Sequence, residues 1–289
     1  MAGRYILAVD EGTTGVRAVL YGDGGLPVAT AYRELGVLTP HPGWVEQDAA
    51  ALRDTTAATM RACLEASGVR PGEVAGIGIA NQRETTVAWD ARTASPLHHA
   101  IVWQDRRTTE RCRELQQEDG FAELVRQRTG LVVDPYFCAT KMEWLLRQPK
   151  VAAAARSGSL RLGTVDAWLL WSLAGRHATD TTNASRTLLW DLRRGDWDED
   201  LLERFGVPAE SLPEVVGSAG DHGSTDVLGS PVPVLALVGD QQSALYAQGC
   251  VRSGQAKCTY GTGAFLLQHT GSDAPESAHG LVTTRAATA

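Results

Sequence analysis

Asp240 stands where the apolar run VPVLALVG ends, between Gly239 and the amide Gln241. A carboxylate at a strand end, within reach of a bound hydroxyl, can take the proton of an oxygen that attacks phosphorus. The same position suits a helix N-cap, and the two roles are compatible. Two Gly-Thr turns, Glu11-Gly12-Thr13-Thr14-Gly15 and Gly261-Thr262-Gly263, each lie between two apolar runs. Backbone N–H groups and hydroxyls converging on one point bind phosphate oxygens, and Gly12 and Gly261 let the backbone approach closely. An ordinary hairpin turn is the alternative. Asp10, just before the first turn, is the type of residue that holds hydrated Mg2+, which takes one or two carboxylates plus water and phosphate. Asn81-Gln82-Arg83-Glu84 follows a short apolar run and offers donors and acceptors to a polyhydroxy compound at a strand end. A surface ion pair of little worth is the competing account, and spacing alone favours it. Trp103, Tyr136 and Phe137 adjoin polar loops and suit either the wall of a small pocket or a core. Trp89, Trp144, Trp168 and Trp171 read as core.

Composition narrows the chemistry further. The chain has 289 residues, 43% hydrophobic and 21% charged, so it can bury a core, and its length gives two domains as a soft prior. A net charge of -7 with interspersed signs argues against nucleic-acid partners and anionic membranes. Five cysteines without CxxC spacing point to a reduced, cytoplasmic setting with neither disulfides nor zinc. The opening MAGRYILAVDEG reads as neither a signal peptide nor a membrane span, and no internal apolar stretch is long enough to cross. The P-loop, GxGxxG, HExxH and GxSxG patterns are all missing. Asn183-Ala184-Ser185 matches a glycosylation sequon that a cytoplasmic protein would not use.

The elements that must position these residues follow from periodicity. RYILAVD, VRAVLY and LPVATAYREL predict three strands in an antiparallel meander, with Asp23-Gly24-Gly25 as the second turn. Asp48 caps a helix through Ser67 that Gly68 ends. Val74 to Ile79 is a short buried strand, 105–117 and 139–148 are helices, and AWLLWSL after Gly163-Thr164-Val165-Asp166 is another. Residues 178–187 are polar and read as a loop, and Asp198 to Phe205 as a short helix. Pro233 to Val238 is a strand, SALYAQG lies on a helix, and QAKCTY and AFLLQH are strands flanking the second Gly-Thr turn. The repeated strand, Gly-Thr turn, strand unit suggests two related domains facing each other.

Taken together, DEGTTGVRA, PGWVEQD, NQRETT, AIVWQDRRT, TGLVVDPYF, GTVDAWLLW, TDTTNASRT, GDQQSALYAQ and TYGTGAF, in this order along the chain, resemble the FGGY carbohydrate kinases, and among them the glycerol type. The resemblance implies an α/β, actin-like (ribonuclease-H-like) mixed-sheet domain over 1–250. An incomplete second domain of the same type would open at 251–289. It implies ATP-dependent phosphorylation of glycerol with Mg2+. Arg83, Glu84, Tyr136, Asp240 and Gln241 fall at glycerol-contacting positions, with Trp103 as a wall and Asp240 as base. Thr13, Thr14, Gly15, Arg17 and Thr262 fall at nucleotide positions and Asp10 at the magnesium position. Two departures stand out. Glu11 replaces the usual glutamine, a carboxylate that would repel phosphate unless it points away or meets Mg2+. Gly15 and Val16 replace serines. Family members also run longer, which makes a partial enzyme the expectation and a non-catalytic polyol-binding fragment or an actin-like assembly protein the alternatives. Homo-oligomer formation stays open.

Overall fold

A computed structural model describes residues 4–261 and 263–288 of the chain. Its centre is a six-stranded mixed sheet. Strands β1 (Tyr5–Glu11), β2 (Gly15–Tyr21) and β3 (Pro27–Glu34) form the expected antiparallel meander. Helix α1 (Ala49–Ser67) follows, with Asp48 accepting from the Ala50 and Ala51 N–H groups and Gly68 closing it at φ 69°. Next come β4 (Val74–Asn81), beside β1 and parallel to it, and β5 (Thr86–Asp90), which belongs to a second sheet. Helix α2 (Ala139–Leu146), strand β6 (Leu160–Thr164), helix α3 (Val165–Ala174) and the single-turn α4 (Thr181–Ala184) lead to β7 (Ser224–Thr225) and β8 (Val232–Gly239). β8 pairs in parallel with β4, giving the order β7-β8-β4-β1-β2-β3. Helix α5 (Asp240–Ala247) and a hairpin of β9 (Ala256–Tyr260) and β10 (Ala264–Gln268) complete the elements used below.

Alternation builds the core. Leu7 and Val9 of β1, with Val16, Ala18 and Leu20 of β2, point inward and are buried, the period-2 face a half-covered sheet requires. α1 covers β2 and β3, α3 covers β4 and β8, and the two helices touch each other. Trp168 Nε1 donates to the Ala49 carbonyl at 2.7 Å, locking α3 to the first turn of α1. A second cluster around Ala88, Ile101, Met142 and Leu162 packs on the far side of β5 and β6. No described helix is long and apolar enough to cross a membrane.

Three local expectations change. The helix predicted at 105–117 starts at Thr109. The Asp105 carboxylate accepts from the Val45 and Arg107 N–H groups and holds the Arg107 guanidinium, which ties 105–108 into a turn. The helix predicted at 139–148 ends at Leu146. Residues 178–187 are a buried strand and helical turn rather than a loop. Asp180 caps α4 and takes the Thr182, Asn183 and Ser218 side chains. The segment is polar because its partners are polar and inside the protein, not because it meets water.

Candidate functional site

The parallel register of three strands creates the site. Glu11, Asn81 and Gly239 stand opposite one another across β1, β4 and β8. Neighbouring strands lie about 4.8 Å apart, so the chains leaving these three ends emerge side by side, where open α/β sheets bind ligands. Asp10 and the Gly12 turn leave β1, Gln82-Arg83-Glu84 leave β4, and Asp240 opens α5 after β8. They line one cavity of about 630 Å3 with Thr13, Thr14, Arg17, Trp103, Tyr136 and Gln241.

Arg83 and Glu84 are buried, at 5% and 1% exposure, which overturns the surface ion-pair account. Arg83 Nε lies 3.2 Å from Asp240 Oδ1 and Nη1 donates to Gln242 Oε1 at 3.0 Å. A Cβ at Gly239 would come 2.7 Å from Arg83 Cδ, so only glycine lets that side chain lie across the strand end. The Glu84 backbone is left-handed, φ 59°, a costly conformation for a non-glycine residue. Its Oε1 accepts from Arg186 Nε at 2.6 Å, and its carbonyl accepts from Lys141 Nζ at 3.1 Å. Asp240 is the first residue of α5 and Gly239 the cap, so the N-cap role considered for Asp240 does not apply. Its Oδ1 accepts from the Gln241 N–H at 2.7 Å and Oδ2 from Gln241 Nε2 at 2.9 Å. Burial raises the Asp240 pKa while the Arg83 guanidinium pulls it down. An aspartate so placed, with its pKa moved toward neutrality, is suited to accept a proton.

Trp103 stands as a wall. Its Nε1 donates to Thr13 Oγ1 at 2.8 Å, and its ring meets Tyr136 at 5.8 Å and Phe265 at 6.1 Å, edge to face. Phe137 belongs to the core, at 3% exposure. Asp10 is open to the cavity. Crowding by protein on its other sides, then the Asp240 charge, raises its pKa against the pull of Arg17.

Glu11 points away from the cavity and is fully buried. Its Oε1 accepts from Gln82 Nε2 at 3.1 Å, and its Oε2 has no partner among the described residues. Burial is the main cause that pushes its pKa to about 8, with Asp10 and Asp240 adding to it. Glu11 thus points away from the cavity, and its burial disfavours the charge that would repel phosphate. Gly15 is buried and is not among the residues that line the cavity. A Cβ there would meet the Tyr32 hydroxyl at 2.4 Å, so close packing against β3 explains the glycine. Thr262 lies outside the described residues.

The family model for the N-terminal domain of the FGGY family of carbohydrate kinases matches residues 5–247. The chain belongs to the FGGY family. It is 50% identical to glycerol kinase of Paracidovorax citrulli over 288 residues, and 51% identical to that of Leptothrix cholodnii. These alignments take in 98% of this chain but only 57% and 58% of those relatives, so the chain spans little more than half their length. The crystal structure of Plasmodium falciparum glycerol kinase with ADP superimposes with a TM-score of 0.92 at 32% identity, over 97% of this chain and 57% of that one. The fold is thus the actin-like α/β fold of the FGGY kinases.

Within this FGGY chain, several supporting residues escaped the sequence reading. Gln82 donates to Glu11 Oε1 and to Gln47 Oε1, and Gln47 in turn donates to the Thr13 carbonyl at 2.8 Å, so one amide chain holds the Gly-Thr turn. Gln242 holds Arg83, Arg186 holds Glu84, and Phe265 faces the Arg83 guanidinium at 5.8 Å. Each sits inside a segment that carries the family resemblance, but the hydrogen-bonded pairings span up to 159 residues of chain, and no local pattern displays them.

Proposed function

We propose that this chain carries the polyol side of an ATP-dependent glycerol kinase, with glycerol and ATP meeting in the cavity at the three aligned strand ends. The observation that carries the reading is the register of Glu11, Asn81 and Gly239, which opens Asp10, Arg83-Glu84 and Asp240 onto one space. Arg83, Glu84, Asp240 and Gln241 take glycerol hydroxyls, while Trp103 and Tyr136 face its carbon edge. Glycerol has six heavy atoms, so binding is limited to about 9 kcal/mol even at the best efficiency. Selectivity therefore rests on buried polar groups that an analogue would leave unpaired.

Asp240 accepts the proton of the terminal hydroxyl as its oxygen bonds to the γ-phosphorus and the bond from that phosphorus to the β,γ-bridging oxygen breaks, releasing ADP. Thr13, Thr14, Arg17 and Thr262 are proposed on the phosphates. The residues fit Mg2+, an ion that takes one or two carboxylates plus water and phosphate: Asp10 and Asp240 both line the cavity, and the charge of Asp240 is felt at Asp10. When bound, the ion would neutralise charge on the phosphates, with Asp10 as its protein anchor. Residues 251–289 would begin the second domain, in which the adenine pocket is proposed to lie.

An assembly protein that kept the fold and lost the chemistry is the weaker reading, because filament contacts need no buried Arg83-Glu84 pair aimed at Asp240. The test is Asp240→Asn. Glycerol binding to the chain, read by saturation-transfer NMR, is expected within a few-fold of wild type. Glycerol-dependent ADP release by the intact enzyme is expected to fall at least about 10²- to 10⁴-fold. Normal turnover by the Asn variant would assign the base elsewhere.

A further inference from the structure

Lys141 is a buried cation that the proposed reaction leaves unused. It lies in the first turn of α2 and is 0% exposed. Each feature of that placement disfavours a lysine. Full burial strips the ammonium of water, and the first turn of a helix repels positive charge. Its hydrogen bonds go to backbone carbonyls rather than to a carboxylate: Nζ donates to Glu84 O at 3.1 Å and to Tyr136 O at 2.9 Å. Those two residues are 52 positions apart in the chain, and both line the cavity.

Neither carbonyl sits in a regular element. The left-handed Glu84 backbone, φ 59°, takes its C=O out of line with β4, and Tyr136 precedes α2. Thr86 Oγ1 and Cys138 Sγ reach the Glu84 carbonyl as well, at 3.3 and 3.5 Å, whereas Lys141 Nζ reaches both carbonyls. The Glu84 carboxylate is fixed separately by Arg186. Lys141 is thus the donor that ties the Glu84 backbone to the Tyr136 backbone.

We propose that Lys141 is a positioning residue for substrate selection: its ammonium joins the Glu84 and Tyr136 carbonyls, and so sets the spacing between the carboxylate and the phenol that face a small polyol. The inference rests on reading the cavity as a polyol site. A merely structural lysine would lower stability when replaced and weaken all ligands alike. A positioning lysine changes which ligand is preferred, because a misplaced carboxylate no longer rewards the hydroxyl it was aimed at.

The experiment titrates the full chain with glycerol and with 1,3-propanediol, which lacks the central hydroxyl, by saturation-transfer NMR. In wild type, glycerol is expected to bind at least about tenfold more tightly than the diol. In Lys141→Met, which keeps the side chain's bulk and removes its donors, glycerol affinity is expected to fall at least about tenfold and the preference to shrink below about threefold. A folded Lys141→Met that keeps the wild-type preference overturns the inference. If that variant does not fold, wild type still decides. The 15N signal of Lys141 Nζ is expected to shift as glycerol saturates the site, and a signal that stays put while glycerol binds overturns the inference too. A wild-type chain that makes no contact with glycerol removes the polyol reading itself, and with it this one.

Discussion

Glu11 shows how burial decides a charge. Its carboxyl is enclosed, Oε2 lacks a partner among the described residues, and its pKa stands at about 8 against an ordinary 4.5. The folded protein therefore holds a proton there that the unfolded chain releases above about pH 4.5. The sign follows: this group's contribution to stability is greatest below the unfolded pKa and declines as pH rises toward the folded one. A neutral amide of the same shape avoids that loss. Glu11→Gln is expected to melt close to wild type at pH 5 and at least about 3 °C above it at pH 8.5, in metal-free buffer. Equal melting temperatures at both pH values would show that Glu11 is not protonated in the fold.

At the level of elements, the stretch from β6 to α4 matters most. Asn183 exchanges two hydrogen bonds with Asn81, both at 3.0 Å, at the end of β4, and Thr182 Oγ1 accepts from the Gly239 N–H at 2.8 Å at the end of β8. Asp180 underlies both through Thr182 and Asn183. One buried helical turn thus grips two of the three strand ends from which the site emerges. Asn183→Ala would take from the buried Asn81 Oδ1 the donor it has in Asn183, at a cost of about 1–3 kcal/mol. Urea unfolding should show that loss together with weaker glycerol binding. Lost stability with unchanged binding would detach α4 from the site.

For the whole molecule, the hairpin β9–β10 is a two-stranded sheet of its own, held to α5 by Lys257, whose ammonium donates to Gln241 Oε1 and Thr259 Oγ1. A two-stranded unit is marginal by itself, yet it supplies Phe265 to the cavity wall, edge to face with Trp103. Phe265→Ala is accordingly expected to weaken glycerol binding by about three- to tenfold, as one aromatic contact would, with little change in melting temperature. A large drop in melting temperature would place the hairpin in the main cooperative unit instead.

The sequence by itself determined many of the elements. Apolar alternation marked β1, β2 and β8, Asp48 and Gly68 bounded α1, and the ordered segments from DEGTTG to TYGTGAF carried the family. It also held a signal that went unread: Leu7, Val9 and Glu11 share one parity on β1 and all three are buried, so the inward turn of Glu11 was legible in period-2 spacing. Tertiary structure alone decided the rest. Whether Arg83 and Glu84 are a surface pair or a buried one depends on Gln242 and Arg186, 159 and 102 residues away. Whether TDTTNASRT is a loop or a keystone depends on the strand ends it meets. Local propensity reads a residue's neighbours in the chain, whereas burial and hydrogen-bond pairing are set by neighbours in space, and in a sheet of parallel strands those come from far along the sequence.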